Sequence, residues 1–75
     1  MTEMLVVFTT FANADDAARV VRTLVEERLI ACGNLLPGVR SLYRWEGKVA
    51  DQPEVMVLMK TRKQDWTALI SRLHE

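Results

Sequence analysis

The chain reads as an α+β domain of order βαββα, with a long hairpin joining its second and third strands. Three observations predict this. Residues 4–10 are valine-rich and apolar on both faces, an apolar stripe recurs at helical spacing from Ala17 to Leu29, and residues 31–60 read as two strands around a tight turn.

Each element follows from its residues. Residues 4–10 have the two-sided apolar character of a central strand. Asn13 is placed to cap the next helix, with Asp15 and Asp16 against its positive N-terminal end. Ala17, Val20, Val21, Leu24, Val25 and Leu29 form one apolar stripe, while Asp16, Arg19, Arg22, Glu26, Glu27 and Arg28 fill the rest. Residues 31–36 read as a second strand, and Pro37-Gly38 reads as a bulge or bend rather than a strand end. The strand resumes over residues 39–45, and Glu46-Gly47-Lys48 supplies the turn, Gly47 being free to take positive φ. The return strand is expected to be loose around Asp51-Gln52-Pro53 and firm over residues 55–60. Residues 64–75 form a second helix burying Trp66, Leu69, Ile70 and Leu73 at i, i+3, i+4 and i+7. A ferredoxin-like sheet has the order βαββαβ, its fourth strand beside the first. The pattern here stops inside the second helix. The expectation is therefore a single ferredoxin-like domain over residues 1–75, truncated at its C-terminal end and missing the final strand. Its first strand would be an open edge.

Seventy-five residues, 49% of them hydrophobic, suit one small folded domain. Burial in so small a core only about offsets the ordering cost of roughly 1.5 kcal/mol per residue. Cys32 is alone, which rules out a disulfide within the chain and leaves oligomerisation or metal as the extra support. The ribbon points to the former, since an isolated hairpin is marginal in water. Ten basic and ten acidic residues cancel, arguing against nucleic acid as a partner. The first residues lack the features of a signal peptide, and no apolar run approaches the roughly 20 residues of a membrane span. With a lone thiol, the expected location is the cytoplasm.

Several side chains are candidates for chemistry, each beside a plainer role. Cys32 reads as a small buried hydrophobe, against a thiolate ligand facing a subunit cleft. His74 reads as a solvated residue near a helix end, and one imidazole alone binds transition metals feebly. Tyr43, Trp45 and Trp66 have faces for stacking a planar ligand. An intersubunit seam suits Tyr43 and Trp45 better, and core suits Trp66. Arg44, Glu46, Lys48 and Lys60 read as a solvated rim rather than an anion pocket. Lys60-Thr61 is the more interesting pair, because ligands of small α/β sheets often sit off strand ends. There is no Ser-His-Asp set, no Cys-His pair, no phosphate-binding glycine loop and no two-histidine zinc motif, so an enzyme is not expected. Asp15 and Asp16 serve the helix end rather than acid/base chemistry.

In order, Leu24-Val25-Glu26-Glu27-Arg28-Leu29, Ala31-Cys32, Asn34, Pro37-Gly38-Val39, Ser41-Leu42-Tyr43-Arg44-Trp45-Glu46-Gly47-Lys48, Glu54-Val55 and Lys60-Thr61 resemble the CutA divalent-cation tolerance family. The resemblance implies a ferredoxin-like subunit of a tight homotrimer whose ribbons pair across subunits. It implies a part in tolerance of copper or another divalent cation. The copper site proposed for the best-known bacterial members uses a cysteine near the end of the first strand and a histidine pair after the second helix. Thr9 stands at the cysteine position, a hard oxygen ill-suited to soft metal, and the histidine pair would fall beyond Glu75. The expectation is thus a small cytoplasmic trimer that takes part in the metal-ion response and itself binds copper or zinc weakly. The alternative is a signalling or scaffold trimer similar to PII-type regulators, binding a small anionic ligand in its intersubunit clefts.

Overall fold

A computed structural model describes residues 3–74. The elements are β1 (Met4–Phe11), α1 (Ala14–Glu26), β2 (Cys32–Trp45), β3 (Lys48–Arg62), a single 3-10 turn (Lys63–Asp65) and α2 (Trp66–Leu73). This is the βαββα order of the sequence reading, and the sheet is wholly antiparallel.

Strand β3 lies between the other two, in the order β1-β3-β2. Although β1 has the two-sided apolar pattern of a central strand, it lies at the open edge expected in the absence of a fourth strand, pairing among the described residues only with β3, from Met4 opposite Arg62 to Phe11 opposite Val55. Alternation along β3 then splits the sheet into two unlike faces. Val55, Val57, Met59 and Thr61 are buried beneath the helices, with Ala17, Val21 and Leu24 of α1, Ile30 of the connection and Leu69 of α2 completing the core. Each such apolar side chain contributes about 1.5–3 kcal/mol by burial. The opposite face is bare, and Phe8 there is 60% exposed, with Met4 and Val6 nearly as open.

Helix α1 starts where its cap dictates. The Asn13 side chain accepts a hydrogen bond from the Asp16 backbone N–H at 2.8 Å, and its amide donates back to the Asp16 carboxylate at 3.1 Å. That amide and Arg19, the larger influence, hold the Asp16 carboxyl below the usual range. At the far end, Leu29 N–H donates to the Leu24 carbonyl and Arg28 N–H to the Val25 carbonyl, the paired bonds of a Schellman cap. The left-handed position of that cap is held by Arg28, with φ 61°. Glycine usually fills it, because a Cβ there costs about 1–2 kcal/mol.

The ribbon is continuous. Leu36 pairs with Met56 and Val39 with Glu54, so Pro37 and Gly38 together stand against Val55: a one-residue bulge, with Gly38 at φ 79°. The bulge reverses side-chain parity along β2. By register it sets Val39, Tyr43 and Trp45 on the same side as Leu36, Phe8 and the rest of the bare face. The turn is two residues, Glu46 and Gly47, both at positive φ, with Trp45 paired to Lys48. Residues 51–53 are not loose as expected. They belong to β3, where Pro53 pairs with Arg40 on a stretch that only β2 flanks, and an edge tolerates proline.

Helix α2 is shorter than the sequence suggested. Of the four residues expected in the core, only Leu69 is fully buried, Ile70 and Leu73 are half-covered, and Trp66 is 41% exposed. Trp66 opens the helix beside the edge of β1 that no strand among the described residues pairs with, where the two line one open groove. Glu75, which the expected helix included, lies outside the described residues.

Candidate functional site

The residues singled out from sequence do not converge on one point. Lys60 and Thr61 point to opposite faces of β3. Lys60 is exposed between Val6 and Cys32 on the bare face. Thr61 is 1% exposed beneath the helices and donates to the Leu29 carbonyl at 2.7 Å. Arg44, Glu46 and Lys48 sit at the ribbon tip, twelve residues along β3 from Lys60, or about 40 Å at 3.3 Å per residue. No shared anion pocket is formed by those four charges. Tyr43 and Trp45 do share a face, and Trp45 is 64% exposed within one chain.

Cys32 is half-covered rather than buried, because it lies on the bare face and no helix packs against it. His74 caps the end of α2 on the other side of the sheet, lining a groove of about 760 Å³ with Thr9, Phe11, Val20 and Trp66. Cys32 and His74 therefore cannot share an ion. Among the described residues, no three His, Cys, Asp or Glu side chains are grouped to hold a metal. Thr9 and His74 both line the groove, but one hydroxyl and one imidazole are a poor donor set for copper or zinc. These residues do not fit a tight metal centre within one chain.

A second concavity escaped the sequence reading. A cleft of about 420 Å³ opens between the α1–β2 connection and the start of the 3-10 turn. Val25, Leu29, Ile30 and Ala31 supply its apolar wall, and Arg28, Arg62 and Asp65 its polar rim. Its walls are tied together by the Thr61 hydroxyl on the Leu29 carbonyl and by Ala31 N–H donating to the Lys60 carbonyl at 2.7 Å. Arg62 is already engaged, its Nε donating to Asp65 Oδ2 at 2.7 Å. The one available signal was an arginine, not a glycine, at the end of a well-formed helical stripe.

Together these features define a class: a small ferredoxin-like domain whose β2–β3 ribbon extends far beyond its core, 44 Å along the longest axis. Residues 5–75 match the family described as CutA1 divalent ion tolerance protein, and the chain belongs to that family. It is 46% identical over 72 residues to the divalent-cation tolerance protein CutA of Pyrococcus horikoshii, covering 96% of this chain and 70% of that one. Against the protein of the same name from Thermus thermophilus it is 40% identical over 68 residues, covering 91% of this chain and 66% of the relative. The solved Thermus structure superposes with a TM-score of 0.89 at 38% identity, over 95% of this chain and 69% of that one. A solved Pyrococcus horikoshii CutA1 gives 0.88 at 42% identity, over 95% and 68%. The ferredoxin-like expectation is thereby met.

Proposed function

We infer that this chain acts as the subunit of a cytoplasmic homotrimer serving tolerance of divalent cations, copper foremost. Membership of a family named for divalent ion tolerance supports the role. One observation carries the assembly: the ribbon is apolar on both faces and covered on neither. Leu42 and Val49 are exposed on one side, Tyr43 and Trp45 on the other, and the bulge aligns the latter with the bare face of the sheet. Such a continuous patch marks an association surface. The donor set of one chain supports a response to metal through the assembly rather than through a tight resident ion. Only convergence of equivalent residues from several subunits would build a stronger site. No helix among the described residues is long and apolar enough to cross a membrane.

Two measurements test this reading. Sedimentation at micromolar concentration should give a single species of three chains, and a stable monomer would end the assembly proposal. Expression in a bacterium deleted for its own relative should restore growth in elevated copper. Failure to do so, with the protein present and assembled, would end the tolerance proposal.

A further inference from the structure

We propose that the cleft between the α1–β2 connection and the 3-10 turn is a binding site for a small amphipathic anion, a carboxylate on an apolar body. Three observations meet there. The wall formed by Val25, Leu29, Ile30 and Ala31 is apolar and sized for a short aliphatic or single-ring group. The rim carries two guanidinium groups against one carboxylate, and that carboxylate already serves Arg62. Arg28 has no side-chain hydrogen bond or ion pair among the described residues, so its guanidinium is available to a ligand.

The backbone supplies the independent argument. Arg28 occupies the left-handed position of the α1 cap, where glycine is the favoured residue. An arginine kept there at a conformational disadvantage, with no side-chain partner among the described residues, implies a use for its charge outside the fold. Its fork geometry suits a carboxylate, and since Asp65 neutralises only the neighbouring Arg62, the rim keeps one net positive charge, that of Arg28. The Thr61 clamp on Leu29 keeps the walls at fixed spacing, so the site is formed before the ligand arrives. All these residues come from one chain, so the site does not depend on the assembly inferred above.

Titration of the whole chain with hexanoate, followed by calorimetry and amide chemical shifts, tests the proposal. Hexanoate should saturate, moving the amides of Arg28, Ala31, Thr61 and Asp65. Hexanol, hexylamine and inorganic phosphate should each bind about tenfold more weakly or worse, for want of charge, correct charge or apolar body. Arg28→Gly is the decisive variant. It should weaken hexanoate about tenfold or more while leaving the melting temperature equal or higher, because glycine relieves the left-handed strain. Arg28→Lys should retain part of the affinity. Absence of saturation, equal binding of hexanol, or unchanged hexanoate affinity in Arg28→Gly would overturn the proposal. A lowered melting temperature in that variant would assign the arginine to packing and overturn it too.

Discussion

The two halves of β3 belong to one unbroken strand and live in different environments. From Val55 to Thr61 its alternate side chains are buried under two helices; from Lys48 to Pro53 it runs out along the ribbon with little but β2 beside it. Backbone pairing differs as well, since β2 flanks both halves and β1 joins only from Val55 onward. The larger difference is cover, and cover is what makes a strand stable in water. The body carries its own core, whereas the ribbon holds apolar side chains that stand exposed within one chain, Leu42, Trp45 and Val49 among them.

The sharpest way to break this comparison is to place the same charge in each half. Val57 is 0% exposed, so Val57→Asp should cost at least about 3–5 kcal/mol and abolish folding, as a buried unpaired charge does. Leu42 is 63% exposed within one chain, so Leu42→Asp should leave the helical far-ultraviolet circular dichroism of the body intact and release monomers from the proposed trimer in sedimentation. If Leu42→Asp unfolds the chain at any dilution, ribbon and body are one cooperative unit and the distinction fails.

Next in size is Trp45→Ala. If the ring is covered in the assembly, it should cost about 3 kcal/mol there, the range of large core truncations. In a dissociated chain it should cost no more than the roughly 0.5 kcal/mol of a surface change. Denaturant melts at high and low protein concentration separate the two. Gly33→Ala probes the body instead. A Cβ at Gly33 would stand 2.6 Å from Val21 Cγ1, so the Val21 side chain or the helix that carries it must shift, at about 1–3 kcal/mol.

Acid sensitivity is a smaller effect. Arg72 holds the Glu27 carboxyl below its usual range, and Arg40 does the same for Asp51. A carboxyl whose folded pKa is lowered contributes stability that is fully present above its unfolded pKa. That contribution is lost as pH falls through the folded value, here below the ordinary carboxylate range of about 4. Glu27→Gln should flatten the acid limb of the body's stability profile, since the Glu27–Arg72 pair joins α1 to α2 at 2.9 Å. Asp51→Asn should alter only the ribbon, where Asp51 meets Arg40 across the strands at 2.6 Å. Both pairs lie at the surface and are shallow by nature. Smallest of all should be the effect of a chelator on subunit stability. Calorimetric detection of a sub-micromolar, Cys32-dependent copper site would contradict the weak binding expected of one chain and place equivalent Cys32 residues of several chains on one ion.

How much of this was legible beforehand differs by region. The α1 stripe, the Asn13 cap, the bulge at Pro37-Gly38 and the turn at Gly47 are local: a side chain and its near neighbours decide them, so the sequence states them directly. The resemblance likewise rested on ordered short motifs, and the family match bears it out. Burial was less legible. Trp66 has the helical spacing of a core residue, yet only the position of α2 beside the β1 edge decides its exposure. Cys32 has apolar neighbours in sequence, but pairing with β3 turns it to the bare face opposite Lys60.

By itself, then, the sequence determined the order of elements, their caps and turns, and the apolar character of the ribbon, because periodicity, φ preference and hydrophobic area are properties of the residues. Tertiary structure alone decided which strand is central and which face of the sheet is bare. It also set Thr61 against Leu29 and brought Arg28 beside Arg62 and Asp65. Those facts rest on pairings between residues some thirty or more positions apart, which no local propensity encodes.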